Sequence, residues 1–343
     1  MKKLLFIFLV CCTFNKLSAQ EAFLTKSLSA EMVKQVEAVT SGGNISVASV
    51  PSSEARIEVF AKPSGKNNGA GVSKEEIKRR MDENYDLTIQ VAANKLTAIA
   101  RSKKKNGNNG KDELSISFKI FVNKNVATQL TTSGGNIELK SISGEQQFTT
   151  SGGNLMVDQV TGKLKGKTSG GNIHVNNSGD VLELMTSGGD IEANNCTGQI
   201  KLTTSGGNIE LMNLSGKVEA STSGGDVRAN DVKGELASQT SGGNILLTGM
   251  ACDLTASTSG GDIKVSVKES KKIIKLSNSG GKIELQLPAG KGYSLDLAAD
   301  KINTGNLNNF SGSLTEDKVN GKLNGGGTQV TAKTSGKINL TFK

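Results

Sequence analysis

Between Thr132 and Ile263 the apolar residues return at fixed places in a cycle of 18. Counting the threonine before each Ser-Gly-Gly as position one, position six holds Ile137, Leu155, Ile173, Ile191, Ile209, Val227, Ile245 and Ile263. Position eight holds Leu139, Val157, Val175, Ala193, Leu211, Ala229, Leu247 and Val265. Position seven, between them, is mostly polar: Glu138, His174, Glu192, Glu210, Arg228 and Lys264. Alternation with a period of two predicts a strand with one buried face. A glycine follows near position thirteen (Gly144, Gly162, Gly198, Gly216, Gly234), after which alternation resumes, as in Leu182/Leu184 and Ile200/Leu202. Each cycle is therefore two short strands and two tight turns.

Such a unit cannot bury its own apolar face, but a stack of copies can, with strands pairing in parallel about 4.8 Å apart. The pattern predicts an all-β protein, a parallel β-solenoid (β-helix) with 18-residue coils. It is taken as right-handed because parallel crossovers overwhelmingly are. The Ser-Gly-Gly corners begin at Ser133, Ser151, Ser169, Ser187, Ser205, Ser223, Ser241 and Ser259, with a further copy at Ser279 and an early one at Ser41. Paired glycines at a sharp corner suggest backbone angles closed to other residues. Thr and Asn recurring at the corner suggest ladders in which each bonds to its own copies.

Residues 46–131 break the period. ARIEVFA, DLTIQV, KLTAIA and ELSISFKIFV alternate as strands, and KPSGKNNGAG is expected as a loop. SKEEIKRRMDEN predicts the one short helix, with Ser73 as N-cap and Glu76 completing a capping box. This N-terminal insertion is expected to cover the open edge of the stack. The organisation expected is a signal peptide at 1–19, an irregular capping part at 20–131, regular coils at 132–278, and C-terminal coils and cap at 279–343.

The first residues carry Lys2 and Lys3 before the apolar run LLFIFLVCC, with a small-residue exit at Leu17-Ser18-Ala19. That is the layout of a secretory signal, and the run is too short to span a bilayer. The residues around Cys11 and Cys12 lack the small residues of a lipidation site. The chain is expected to be exported to the periplasm, cell surface or extracellular space, with no transmembrane segment once the signal is removed. Removal takes Lys2, Lys3 and Lys16 and lowers the formal charge from +9 to +6. Two cysteines then remain, Cys196 and Cys252, which imply no disulfide framework.

The TSGGNI hexads, the NKNV step at 123–126, the segment LPAGKGYSLDL and the closing LNGGG together resemble the bacterial putative-adhesin family with β-strand repeats. The resemblance implies a β-solenoid exported to the cell envelope. It implies no mechanism, because the family has no settled activity.

The chemistry offered by the residues is sparse. Calcium-binding rolls also use an 18-residue turn, but here the corner residue is Asn136, Asn154, Asn172, Asp190, Asn208, Asp226, Asn244 and Asp262, so carboxylates fall only in alternate coils. A turn-capping ladder accounts for them without metal. His174, the single histidine, sits at an outward position without an evident partner, and Cys196 falls at an inward one. The outward row shows no focus of acids for glycoside cleavage and no aromatic platform for sugars. No catalytic, cofactor or metal residue is assigned, and no cofactor is expected. The expected function is a non-enzymatic structural or adhesin-like interaction module of the envelope. The alternatives are a binding module for anionic polysaccharide and a degenerate carbohydrate-active enzyme. The contact candidates are Arg101, Lys103, Lys104, Lys105 and Lys111, in a basic stretch that interrupts the periodic body. Their partner would be an envelope polysaccharide or another surface protein, and export argues against nucleic acid.

Overall fold

A computed structural model describes residues 21–64, 72–103, 113–270 and 272–343. The signal segment with Cys11 and Cys12, most of the expected loop after Lys62, and Lys104, Lys105 and Lys111 lie outside the described residues. The fold is all-β, a long stack of mainly parallel strands with a single α-helix among the described residues, Lys74–Asn84.

The alternation predicted from the sequence forms the stack. Strand Leu155–Asp158 pairs in parallel with Ile137–Lys140 on one edge and Ile173–Asn176 on the other, each partner 18 residues away. Positions six and eight point inward and are almost fully buried: Ile173, Val175, Ile209 and Ile245 expose nothing or 1%. Phe148, Leu164, Leu182 and Ile200 close the core from the second strand of each coil. In three coils the two strands merge into one, Ile209–Ser221, Val227–Gln239 and Ile245–Thr258.

The corners differ from the sequence expectation in a specific way. No glycine of a Ser-Gly-Gly triplet adopts a left-handed φ. The second glycine is required by contact instead: a Cβ on Gly207 would lie 2.0 Å from the carbonyl oxygen of Gly189 in the preceding coil. The first glycine has room, with its nearest neighbours 3.7 Å away at Gly206. Left-handed backbone appears at the other corner, in the column Ser141, Gln159, Asn177, Asn195, Asn213, Asp231 and Gly249. The glycines near position thirteen, such as Gly216 with φ 125°, complete that second turn.

The ladders also differ. The threonines do not bond to one another. From Thr132 to Thr258 each corner hydroxyl donates to the second-glycine carbonyl of the coil before, as Thr186 does to Gly171 at 2.8 Å, and accepts from its own second glycine, here Gly189. From Asn44 through Asn244 the side-chain oxygen of each Asn or Asp accepts the backbone N–H of the Asn or Asp in the next coil, and Asp262 ends the ladder by accepting from Lys282 N–H. These bonds satisfy corner amides that no strand partner reaches.

At the N-terminal end, Lys95–Ser102 and Leu114–Val122 add one more parallel layer, beyond Gln35–Val39 and Ile45–Ser49. Tyr85–Ala92 and Arg56–Pro63 then cover that layer in antiparallel sense. The helix packs against this cover. Ser73 caps it by accepting from the Glu76 N–H. The return half of the expected capping box is replaced: the Glu76 carboxylate pairs with Arg79 and Arg80, which hold it down to about 2.

Candidate functional site

The strands Ile173–Asn176, Ile191–Asn194, Ile209–Ser221 and the following coils bury positions six and eight and turn position seven to solvent, so position seven forms a row on one face of the sheet. In this row Glu192 and Glu210 are direct cross-strand partners. Like charges placed opposite each other repel. Here the two carboxylates are drawn apart. Glu192 accepts from Asn194 Nδ2 at 2.7 Å and lies 3.1 Å from His174 Nδ1 on the side of the preceding coil. Glu210 turns the other way, 3.7 Å from Arg228 Nη1, and Arg228 also donates to Asp226 at 2.7 Å. His174 thus has a partner that its position in the sequence did not disclose.

Over this row lies a hollow of about 380 Å³, flanked by Met212 and Leu246, which are 50% and 39% exposed. The row therefore has a focus after all, visible only once coils are laid in register. The bond from Asn194, followed by that with His174, lowers the Glu192 pKa from its ordinary 4.5. A glycosidase acid needs the opposite, a carboxyl kept protonated near neutrality. The arrangement suits recognition better than cleavage.

The charge around the hollow extends along the molecule. Residues 132–263 carry eight Lys and Arg against fourteen Asp and Glu, while residues 264–343 carry thirteen against six. The central coils are thus acidic and the C-terminal end basic, a segregation the net charge conceals.

Of the five basic candidates, the structure describes two. Arg101 is exposed on strand Lys95–Ser102. Lys103 donates to the Asp82 carbonyl at the end of the helix and lies 3.7 Å from Asp86. Strands Lys95–Ser102 and Leu114–Val122 pair with the two strands that flank the Ser-Gly-Gly corner of the neighbouring coil. Cys196 and Cys252 are unbridged and buried. Burial, with Asp253 adding to it, pushes the Cys252 thiol up to about 12, and burial raises that of Cys196. No group of three or more His, Cys, Asp or Glu among the described residues could hold a metal ion. No helix there is long and apolar enough to cross a membrane.

No curated protein matches the chain. Among solved structures, a putative cell adhesion protein from Clostridium sporogenes ATCC 15579 is similar at 10% identity, covering 93% of this chain and 98% of the other, with a TM-score of 0.19. A putative adhesin from Bacteroides fragilis NCTC 9343 is similar at 12% identity, covering 93% and 95%, with a TM-score of 0.23. Likenesses at that level carry no conclusion about this chain. The family comparison agrees with the resemblance carried by the hexads and the terminal motifs: over residues 179–341, nearly half its length, the chain matches the model of the family Toastrack DUF4097.

Proposed function

We propose that this chain is an exported, non-enzymatic, right-handed β-solenoid with 18-residue coils that acts as an interaction module of the cell envelope, and that its contact surface is the outer face over Glu192, Glu210 and Arg228. One observation carries this reading: two carboxylates held apart on a rigid sheet, with an apolar-edged hollow above them, in the acidic stretch of the molecule. Such a face attracts partners that carry amines and repels polyanions. The Met212 and Leu246 side chains offer apolar contact beside the charges.

The test is binding of the mature protein to partly deacetylated chitin oligosaccharides at low and high salt. Binding should be strongest at low salt and fall at least about tenfold in Glu192→Gln/Glu210→Gln. Unchanged binding in that variant removes the face from the reading. Protease shaving of intact cells separates surface from periplasmic placement.

A second reading keeps the basic stretch from Arg101 to Lys111 as a contact for anionic polysaccharide, favoured by the exposure of Arg101 and Lys103 at the end of strand Lys95–Ser102. Polygalacturonate is the probe. Binding lost in Lys103→Gln/Lys104→Gln/Lys105→Gln and kept in the glutamate variant would favour this second site.

A further inference from the structure

The order of coils along the stack is not the order of the chain. Strand Gln35–Val39 lies between Lys95–Ser102 and Ala127–Thr131, paired with both. Strand Ile45–Ser49 lies between Leu114–Val122 and Ile137–Lys140. The first coil of the chain is thus the second coil of the stack. The other end repeats the device. Thr328–Lys333 lies between Ile273–Asn278 and Tyr293–Ala298. Lys337–Phe342 lies between Ile283–Leu287 and Lys301–Asn303. The last coil of the chain is again enclosed, inside the parallel layer of Tyr293–Ala298 and Lys301–Asn303, which Lys318–Leu323 and Phe310–Leu314 then cover in antiparallel sense.

Enclosure requires the chain to step over a layer, about 9–10 Å at two strand spacings, one already occupied by 35–49 at the N-terminal end and one filled later by 328–342 at the other. The skips occur at the motifs that the 18-residue cycle leaves unexplained. Residues 123–126 (NKNV) make the N-terminal skip and are bonded on both sides. Asn123 accepts from Ser52 just after the enclosed coil, Ala127 N–H donates to Lys34 just before it, and Val126 N–H donates to Ser143 in the coil beyond. Residues 288–292 (PAGKG) make the C-terminal skip. There Ala289 N–H donates to the Lys343 carbonyl, and Lys343 N–H to Leu287. The chain returns through Gly325, Gly326 and Gly327, all at positive φ, and passes so close that a Cβ on Gly292 would meet the Gly326 carbonyl at 2.1 Å.

The geometry points to a pair of mechanical clasps: the two end-proximal coils are locked between layers, so that the solenoid bears tension between its termini without unwinding coil by coil. A coil at an open end has one paired edge, and removing it exposes the next. Here Leu24–Ser27 is paired on one edge only, with Arg56–Pro63, and peels first, but 35–49 behind it and 328–342 at the other end have two paired edges, so further pulling on the chain must break both ladders at once. This property goes beyond the proposed contact face and holds whatever the partner is.

Single-molecule pulling on the mature chain through handles at its two termini tests it. One rupture that releases the central coils together is expected. A staircase of steps of about 6 nm, one 18-residue coil at its extended length, beginning at either end, would overturn the proposal. Gly292→Ala should loosen the C-terminal clasp and convert the rupture to a staircase from that end. A variant that still ruptures in one event overturns the role given to residues 288–292. Amide exchange on the unaltered protein gives an independent reading. Amides of 35–49 and 328–342 should exchange roughly a hundredfold or more slowly than those of the outer strand Phe310–Leu314. Equal rates would show that the enclosed coils fray and would refute the clasp.

Discussion

Two neighbouring glycines in one corner separate what a motif repeats from what a fold requires. Gly206 and Gly207 look alike in the sequence, but only Gly207 has its Cβ position occupied by backbone, at 2.0 Å. Gly207→Ala must push two coils apart and should lose about 1–3 kcal/mol, as overpacking does. Gly206→Ala meets only ordinary contacts and should change stability by less than about 1 kcal/mol. Thermal melting of the pair checks both, and equal losses would contradict the contact argument. Glu192 adds a pH dependence. Its pKa is lowered in the folded state, so its contribution to stability is present above the ordinary value of 4.5 and lost as pH falls through the lower folded value. Glu192→Gln should flatten the acid limb of a stability–pH curve, and an unaltered limb would show that the bonds to Asn194 and His174 matter little.

At the scale of the strand and its turns, the second corner carries a strain that the sequence conceals. Six of the seven residues in its left-handed column are not glycine, and Gln159 at φ 56° is the least suited of them. Asn tolerates this region better than longer side chains do. Gln159→Asn should therefore stabilise the protein by about 0.5–1 kcal/mol, read from the denaturant midpoint at constant slope. Strand burial also governs the thiols. Cys196 is 0% exposed and Cys252 3%, on or beside strands paired on both edges. Neither should react with a disulfide reagent at neutral pH until the chain unfolds, and both should then react together. Labelling of one in the native protein would show that its strand opens locally. The strands themselves were legible because alternation has a physical period. The ladder partners were not: Thr186 bonds a glycine carbonyl in another coil, and nothing in the sequence ranks that acceptor above a stacked threonine.

For the whole molecule, the enclosed coils imply an order of assembly. The slot for 328–342 has no second wall until Tyr293–Ala298 and Lys301–Asn303 are placed, and the slot for 35–49 needs Leu114–Val122 and Ile137–Lys140. These are long-range pairings whose closure entropy must be met before they stabilise anything. Refolding should be slow, and pulsed amide labelling should find 35–49 and 328–342 protected after the central coils. Protection of either segment before them would exclude late closure. The same scale explains the candidate contact face. Glu192 and Glu210 are 18 residues apart and unremarkable in the sequence, and only the register makes them neighbours.

The sequence alone determined what a period can encode. The 18-residue cycle dictated the parallel stack, the inward column of Ile, Leu and Val, and the place of each corner, because burial of alternate residues in identical layers admits few other solutions. Ser73 likewise marked the start of the helix. What lacks a period was left to the tertiary structure. It decided that His174 and Glu210 flank Glu192, that Gly207 rather than Gly206 is sterically held, and that residues 35–49 and 328–342 are enclosed between layers of the stack. Those outcomes depend on which layer each segment joins. Many layers offer a strand the same ladder of amides and carbonyls, so the choice is made by the straps at 123–126 and 288–292 and by the close packing of Gly292 on Gly326.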